Sequence, residues 1–331
     1  MLLSIIIPTR NRADLLQLAL LSLQAQTLPA DQFEVLVIDN GSTDNTKQVV
    51  ESFQQQLVEV RYFFDPTPGL HVGRHRGLRE AGGDVLVYAD DDIQATPTWL
   101  AAIAENFADP AVAMVGGNNH PDFKAVPPSW LEELWRRSSM GGHAIGYLSV
   151  LSLPEGRRDF SPYMVWGCNF SIRKRVVLEA GGFHPDGMPQ DLIRFRGDGE
   201  SHVSRFVAER GLRCVFDSRA SVYHAVTPER MTRDYFRRRA YNQGVSDSYT
   251  QLRNAQVSGV KPTQSASPLA LARRIVRGIR GKLRAFKPES RELRELHHAM
   301  RQGHQEGFAY HQMVYREDPE VRAWVHQPDY F

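Results

Sequence analysis

The chain has little cysteine, little net charge and no long apolar run. Only Cys168 and Cys214 occur in its 331 residues, which excludes a disulfide scaffold or a cysteine-rich zinc module and favours a reducing compartment. No stretch reaches the roughly 18 apolar residues that predict a membrane-spanning helix, and the apolar run Leu2–Ile7 is too short for a signal peptide. A formal net charge of +2 does not indicate a nucleic-acid partner. We therefore expect a cytoplasmic protein.

The N-terminal third alternates between strand and helix patterns. The predicted strands are Leu2–Ile7, Phe33–Ile38, Val58–Phe64 and Val85–Tyr88, and the predicted helices are Ala13–Ala25, Asp44–Phe53 and His71–Glu80. Such alternation with short connections predicts an α/β fold, in which helices flank a mainly parallel central sheet. Further on, Gly141–Gly156 reads as a flexible connection and Ala220–Tyr223 as the last strand.

Polar residues follow each of the predicted strands. They are Thr9 to Arg12, Asp39 and Asn40, Asp65, and the three consecutive aspartates Asp90, Asp91 and Asp92. Ligands of such sheets bind beyond the carboxyl ends of the strands, so these groups predict a site. Adjacent carboxylates repel unless a cation compensates them, and Mg²⁺ or Mn²⁺ suits such oxygens. The alternative is a solvated acidic loop.

Three motifs, in this order, resemble glycosyltransferase family 2, of the kind found in bacterial polysaccharide synthesis. They are SIIIPTRNR at 4–12, VIDNGSTDNT at 37–46, and the stretch from GLHVGRHRGL to DDD at 69–92. The resemblance covers residues 2 to 225 and implies the glycosyltransferase A fold with inversion at the sugar. It divides the chain into a nucleotide-sugar half at about 1–110, an acceptor half at about 111–225, and a basic helical C-terminal region at 226–331.

The resemblance also implies roles for individual residues. Pro8, Thr9, Arg10 and Arg12 match the loop under the nucleotide, Asp39 the residue that reads the base, and Arg74 an arginine near the donor diphosphate. Asp90 and Asp92 match the ends of the Asp-X-Asp motif, with Asp92 as metal ligand, Asp90 at the ribose or metal, and Asp91 as the variable middle. His224 is a further metal candidate or a packed histidine, and Trp166 stacks on a sugar or belongs to the core.

An inverting transfer needs a carboxylate that accepts the proton of the acceptor hydroxyl. The family supplies it from a Glu-Asp pair at a helix start, whereas this chain reads Gly-Asp-Gly-Glu at 197–200. The spacing to Val203 and Gly211 favours Glu200 as the base, with Asp198 as the second candidate. Either acid could instead only cap the helix.

The C-terminal third is rich in arginine. Residues 267–287 combine an apolar stripe with seven basic residues and no acid, which predicts peripheral contact with the inner face of an anionic membrane. Packing on the catalytic domain or a homodimer contact would explain the same pattern. The Arg-rich stretch 232–249 predicts a lid over the acceptor or a segment that binds diphosphate.

Together these features predict a metal-dependent inverting hexosyltransferase that uses Mn²⁺ or Mg²⁺. Its expected donor is a UDP-sugar, with UDP-glucose first, and its expected acceptor is a glycan or a lipid-linked sugar. Two alternatives stay open: a non-catalytic relative that binds nucleotide sugars, and a sugar nucleotidyltransferase. The latter would need a Gly-rich phosphate loop with a lysine, which Pro8–Arg12 lacks.

Overall fold

A computed structural model describes residues 2–54, 59–137, 141–258 and 288–331. The predicted basic helix at 267–287 lies outside the described residues, as does the start of the predicted strand Val58–Phe64.

Thirteen strands and ten α-helices are found in these ranges. The strands are β1 Leu3–Thr9, β2 Phe33–Asp39, β3 Val60–Phe64, β4 Val85–Ala89, β5 Ile93–Ala95, β6 Val112–Gly116, β7 Asn119–Phe123, β8 His143–Ile145, β9 Val150–Ser152, β10 Arg157–Asp159, β11 Asn169–Arg173, β12 Arg213–Asp217 and β13 Val222–Val226. The helices are α1 Ala13–Gln24, α2 Thr46–Phe53, α3 Leu70–Glu80, α4 Trp99–Phe107, α5 Ser129–Arg136, α6 Lys174–Glu179, α7 Glu200–Glu209, α8 Arg233–Ser258, α9 Arg291–Glu317 and α10 Pro319–Val325.

The central sheet has eight strands in the order β10-β12-β6-β11-β4-β1-β2-β3. The part formed by β1 to β4 is parallel, as predicted, because β1 pairs in parallel with both β2 and β4, and β2 with β3. Strand β11 runs antiparallel between β4 and β6. The carboxyl ends of β1, β2 and β4 therefore meet at one edge, where the polar residues of the sequence motifs follow them.

Both faces of the central sheet are buried, which explains why β1 and β2 are apolar at nearly every position. Ile5 and Ile7 point to one face, where they join a cluster with α1 and α4. Ile6 points to the other face and packs in a cluster with α3 and α7. Successive residues of a strand alternate in this way, so the motif residues at the end of β1 stand on a rigid base.

A second sheet, of five strands, has the order β5-β13-β7-β9-β8. It corrects two predictions. The segment Gly141–Gly156 is not only a flexible connection, because it contains β8 and β9, which pair with each other. The last strand is Val222–Val226 rather than Ala220–Tyr223, so His224 lies in the middle of β13, between partners in β5 and β7.

The long helices α8 and α9 pack against each other beside the second sheet. The residues after α10 lie against α3, where Phe331 packs edge-on against His75. In the described part of the chain, no helix is both long and apolar enough to cross a membrane.

Candidate active site

An open cleft of about 330 Å³ lies at the carboxyl ends of β1, β2 and β4. It is lined by Pro8, Thr9, Arg10, Arg12, Asn40, Pro68, Gly69, Leu70, Asp90, Asp91, Gly187 and Pro189. Six of the residues that the motifs single out for the nucleotide therefore share one cavity. Asp39 does not line it: it is buried, and its carboxylate accepts hydrogen bonds from the Tyr62 hydroxyl and the Ser42 amide, both at 2.7 Å.

The middle aspartate of the triplet organises the cleft wall. Asp91 is buried and accepts hydrogen bonds from the Thr9 hydroxyl at 2.8 Å and from Nη1 of Arg12 at 2.9 Å. Burial raises the pKa of Asp91 to about 6, although the charge of Arg12 opposes the shift. Asp91 thus ties the loop after β1 to the end of β4.

Asp92 faces basic groups. Its Oδ2 atom lies 3.0 Å from Nη1 of Arg230 and 3.3 Å from Nη1 of Arg12. Its Oδ1 atom is 3.1 Å from Nε2 of His224, yet it is buried and has no hydrogen bond from the described residues. Burial raises the pKa of Asp92, but His224 and the two arginines outweigh it and hold the pKa well below its usual value. The carboxylate is therefore ionised at neutral pH.

Asp90 has a carboxylate without a hydrogen bond or ion pair among the described residues. Burial, and then the charge of Asp92, raise its pKa, while Arg74 and His224 act against the rise. Ligand atoms of Asp90, Cys168 and His224 lie within 4.8 Å of one another. Burial raises the pKa of the Cys168 thiol well above its usual value, so this sulfur stays protonated and suits Mg²⁺ or Mn²⁺ poorly.

The donor set fits a hard divalent cation. Two unpartnered features lie close to His224: Oδ1 of Asp92 is 3.1 Å from Nε2, and a carboxylate oxygen of Asp90 lies within 4.8 Å of a ring nitrogen. Carboxylate oxygens and a neutral imidazole are suitable ligands for Mn²⁺, and a cation would compensate the adjacent acids. Asp90, Asp92 and His224 are therefore the residues able to hold it.

Glu200 is the first residue of α7 and forms an ion pair with Arg74, with 3.2 Å between Oε2 and Nη1. The same Nη1 atom lies 2.9 Å from Oδ2 of Asp186. Burial raises the pKa of Glu200, but the charge and hydrogen bond of Arg74 outweigh it, and the pKa lies below its usual value. Glu200 is thus ionised, and its side chain is 30% exposed.

The guanidinium of Arg74 is enclosed. A Cβ on Gly167 would lie 2.2 Å from Nη2 of Arg74, and a Cβ on Gly199 would lie 2.7 Å from Oδ2 of Asp186. Gly199 also has φ = +54°, which disfavours other residues. Glycine is required at both places so that Arg74 can contact the two acids. The sequence predicted Arg74 near a diphosphate; its contacts in the structure are with Asp186 and Glu200.

Asp198 has different surroundings. Its side chain is 6% exposed and is bound by His184 and Arg205, each at 2.5 Å, and by the Thr250 hydroxyl at 2.9 Å. Burial raises the pKa of Asp198, but His184 and Arg205 outweigh it and hold the pKa well below its usual value. Arg205 belongs to α7 and Thr250 to α8, so Asp198 joins these two helices.

Trp166 is half-buried and packs against core residues on both sides of the central sheet. The next residue, Gly167, lies beside Glu200, because a Cβ there would be 3.5 Å from Oε1. Trp166 therefore belongs partly to the core, and the residue that follows it lies beside Glu200; stacking of the ring on a sugar stays a prediction.

Two residues of the site were not found from the sequence. Asp186 binds Arg74, and burial raises its pKa to about 6. Arg230 binds Asp92 from the turn after β13. Neither belongs to a motif with diagnostic spacing. The only signal was position, since Asp186 lies in a loop shortly before α7 and Arg230 six residues after His224.

The central mixed sheet, the smaller second sheet and the acidic strand ends define a glycosyltransferase A fold. The model of the family "Glycosyl transferase family 2" matches residues 4–179. The chain belongs to glycosyltransferase family 2, and its class is therefore glycosyltransferase.

Relatives and a solved structure agree with this assignment. The chain is 34% identical over 208 residues to a validoxylamine A glucosyltransferase of Streptomyces hygroscopicus, covering 56% of this chain and 47% of that protein. It is 24% identical over 246 residues to a glucosyl-dolichyl phosphate glucuronosyltransferase of Haloferax volcanii, covering 72% and 74%. A mannosyltransferase of Pyrobaculum calidifontis, solved with GDP-Man and Mn²⁺, superimposes with a TM-score of 0.55 at 20% identity over 98% of this chain and 78% of that one. This last likeness shows the fold. The chain spans about half the length of the Streptomyces relatives.

Proposed function

We propose that this protein transfers a hexose, with inversion, from a UDP-sugar to a hydroxyl group of a glycan or lipid-linked acceptor. UDP-glucose is the first donor to test, because a related protein is named as a glucosyltransferase. The observation that carries the proposal is that the site holds acidic side chains in two different surroundings. Asp90 and Asp92 converge with His224 beside the cleft, while Glu200 is held ionised by Arg74.

The residues divide the reaction between them. Glu200 takes the proton of the acceptor hydroxyl, and the acceptor oxygen then forms a bond to the anomeric carbon. The bond between this carbon and the β-phosphate oxygen breaks, and UDP leaves with the electron pair. Asp90, Asp92 and His224 would hold Mn²⁺ or Mg²⁺, which when bound neutralises charge on the departing diphosphate.

The nucleotide side of the cleft supports a donor role for the loop after β1. Pro8, Thr9 and Arg10 line the same cavity as Asp90. Arg12 is anchored by Asp91 and Asp92, so its guanidinium stays at the cleft wall, where phosphate oxygens would meet it. Asp39 does not line the cleft; its carboxylate holds the Ser42 amide in position by accepting a hydrogen bond from it.

A donor panel tests the proposal directly. UDP-glucose, UDP-galactose, UDP-N-acetylglucosamine and GDP-mannose are each incubated with the protein, and release of the nucleoside diphosphate is measured with and without EDTA. We expect release from a UDP-sugar that EDTA abolishes and Mn²⁺ or Mg²⁺ restores. Release from none of the donors, or release that EDTA leaves unchanged, would contradict the proposal.

Metal binding has its own readout, which does not depend on turnover. Binding of Mn²⁺ is followed by electron paramagnetic resonance for the wild type, Asp92→Asn and His224→Gln. Loss of one ligand should weaken binding about tenfold or more. Glu317→Gln, on the distant helix α9, is the matched control and should bind Mn²⁺ as the wild type does. Equal affinity in all four proteins would remove these residues from the metal site.

A further inference from the structure

One face of α8 lies against the loop that carries Glu200. The Ser246 hydroxyl donates to the Gly197 carbonyl at 2.7 Å, and the Thr250 hydroxyl donates to Asp198 at 2.9 Å. Residues three or four positions apart share a helix face. Asn242 and Arg239 therefore continue this face toward the start of α8.

The polar groups at this end of the face lack partners. Nε of Arg239 and Oδ1 of Asn242 are both buried, and neither has a hydrogen bond from the described residues. Arg196, in the loop before α7, uses only Nε, which donates to Ser246 at 3.1 Å; no other side-chain hydrogen bond or ion pair of Arg196 occurs among the described residues. Buried polar atoms without partners are unfavourable, which favours a ligand that satisfies them.

These groups lie beside the proposed base. Burial, and then neighbours that include Arg239, lower the pKa of Arg196, while Asp186 and Glu200 oppose the shift. Burial raises the pKa of Tyr147, and the charge of Arg239 opposes this rise. A Cβ on Gly146, the residue before Tyr147, would lie 3.9 Å from the Trp166 ring. Arg196 is joined to α8 at Ser246, about one helical turn from Asn242 and two from Arg239.

Two of the arginines in this region form no ion pair with the described residues. Asp186 and Glu200 both pair with Arg74. No ion pair of Arg196 or Arg239 occurs among the described residues, so two guanidiniums lie near the base without a carboxylate of their own. An oxyanion would relieve their mutual repulsion, and a guanidinium fits a phosphate group through paired hydrogen bonds.

We propose that Arg196, Arg239 and Asn242 bind a phosphate group of the acceptor, next to the hydroxyl that Glu200 deprotonates. The acceptor is then a phosphate monoester or diester rather than a neutral glycan. This inference rests on the proposed function, because it takes the sugar donor to occupy the cleft beside Asp90.

Isothermal titration calorimetry with inorganic phosphate tests the site while UDP and Mg²⁺ saturate the donor cleft. The wild type should bind phosphate, and Arg196→Gln and Arg239→Gln should each weaken it about tenfold or more, since each loses a charged hydrogen bond. Arg239→Lys keeps the charge and should lose less. Arg238→Gln is the matched control: Arg238 is exposed on the same helix, above the Tyr235 ring at 5.6 Å. It should bind phosphate as the wild type does.

The site should bind phosphate with millimolar affinity, so a concentration of about 20 mM should nearly saturate it. The proposed site would be overturned if the wild type bound no phosphate at that concentration, or if Arg238→Gln lost as much affinity as the other variants. If Arg196→Gln and Arg239→Gln weaken UDP itself, the arginines serve the donor diphosphate instead. If the wild type does not bind UDP, the proposed function fails, and the phosphate titration without UDP still decides for or against the oxyanion site.

Discussion

Glu200 and Asp198 are two residues apart, yet they are available to different degrees. Among the described residues, Glu200 forms one ion pair, with Arg74, and keeps 30% of its side chain exposed. Asp198 is enclosed by His184, Arg205 and Thr250. A general base needs a free oxygen within reach of the substrate proton, so the geometry favours Glu200 over Asp198.

Replacing Glu200 by glutamine should lower the transfer rate by about 10² to 10⁴ while UDP affinity stays within about twofold of wild type. The amide keeps the shape of the side chain but cannot accept the proton. Rate and affinity are measured separately, by UDP release and by UDP titration. Asp198→Asn is the comparison, and it should chiefly lower the melting temperature, because it leaves the charge of Arg205 uncompensated. A near-normal rate in Glu200→Gln would exclude Glu200 as the base.

Arg74 should set the pH at which Glu200 becomes active. Burial raises the pKa of Glu200, and Arg74 more than offsets this. Arg74→Gln therefore should raise the pKa of Glu200 and move the acid limb of the kcat/KM profile to higher pH. Arg74→Lys retains a charge and should move it less. An unmoved limb combined with weaker UDP binding would instead favour the diphosphate role that the sequence predicted.

The sequence predicts this site unevenly. Thr9, Arg12 and Asp90 could be placed together because each lies at the carboxyl end of a strand of a parallel sheet. These strand ends lie along one edge of the sheet, where ligands bind. The partners of Arg74 and Asp92 could not, since Asp186 is 112 residues from Arg74 and Arg230 is 138 residues from Asp92. Such pairs form only when the second sheet and α7 pack onto the first.

At the scale of elements, α8 and α9 cross with almost no space between their backbones. A Cβ on Gly307 would lie 2.0 Å from the Tyr241 carbonyl oxygen, and a Cβ on Gly244 would lie 2.0 Å from that of His304. Both contacts are with backbone atoms, which cannot rotate away. The crossing holds α8 in the position from which Ser246 and Thr250 contact the loop of Glu200.

Gly307→Ala should therefore destabilise the protein by about 1–3 kcal/mol, although alanine usually favours a helix over glycine by about 1 kcal/mol. The methyl group would force the two helices apart. Urea unfolding measures the change, and Gln305→Ala, at an exposed position of the same helix, should leave the free energy of unfolding within about 0.5 kcal/mol. Equal stability of Gly307→Ala and wild type would mean that α9 can shift without cost.

The elements themselves were predictable where their pattern is strong. The first four strands are apolar runs with clear ends, and their predicted bounds agree with β1 to β4 within about two residues. Strands β8 and β9 have three residues each and lie in a Gly-rich segment, so neither alternation nor length distinguishes them from loop. They pair with each other, and β9 also pairs with β7, which is tertiary information.

For the whole molecule, several histidines are buried in the neutral form. The pKa of His75 is lowered to about 3, and those of His71, His202 and His311 to about 4, in each case chiefly by burial. His75 shows why neutrality matters. Its Nε2 accepts from the Phe183 amide at 2.7 Å, and its Nδ1 then donates to the Tyr330 carbonyl at 3.0 Å. A proton on Nε2 would break the first of these bonds.

Stability should therefore fall on acidification. An unfolded histidine has a pKa of about 6.5, so below that pH the unfolded state binds more protons than the folded state. The stabilising contribution is complete above about pH 6.5 and is lost as the pH falls toward about 4, at roughly 1.4 kcal/mol per unit of pKa shift. Asp91 and Asp186, whose pKa values are raised to about 6, act in the opposite direction, but they are fewer than the histidines.

Urea unfolding of the wild type and of His75→Gln at pH 7, 6 and 5 tests this balance. Glutamine cannot be protonated, and its amide can replace part of the hydrogen bonding. The variant should be less stable than wild type at pH 7, and the difference should shrink by pH 5. At pH 5 the unfolded wild type gains a proton at His75, which lowers the stability of the wild type but not that of the variant. Gln305→Ala serves again as control and should lose stability in parallel with wild type. A constant difference in the free energy of unfolding between wild type and His75→Gln across the three pH values would show that His75 has the same pKa in the folded and unfolded states.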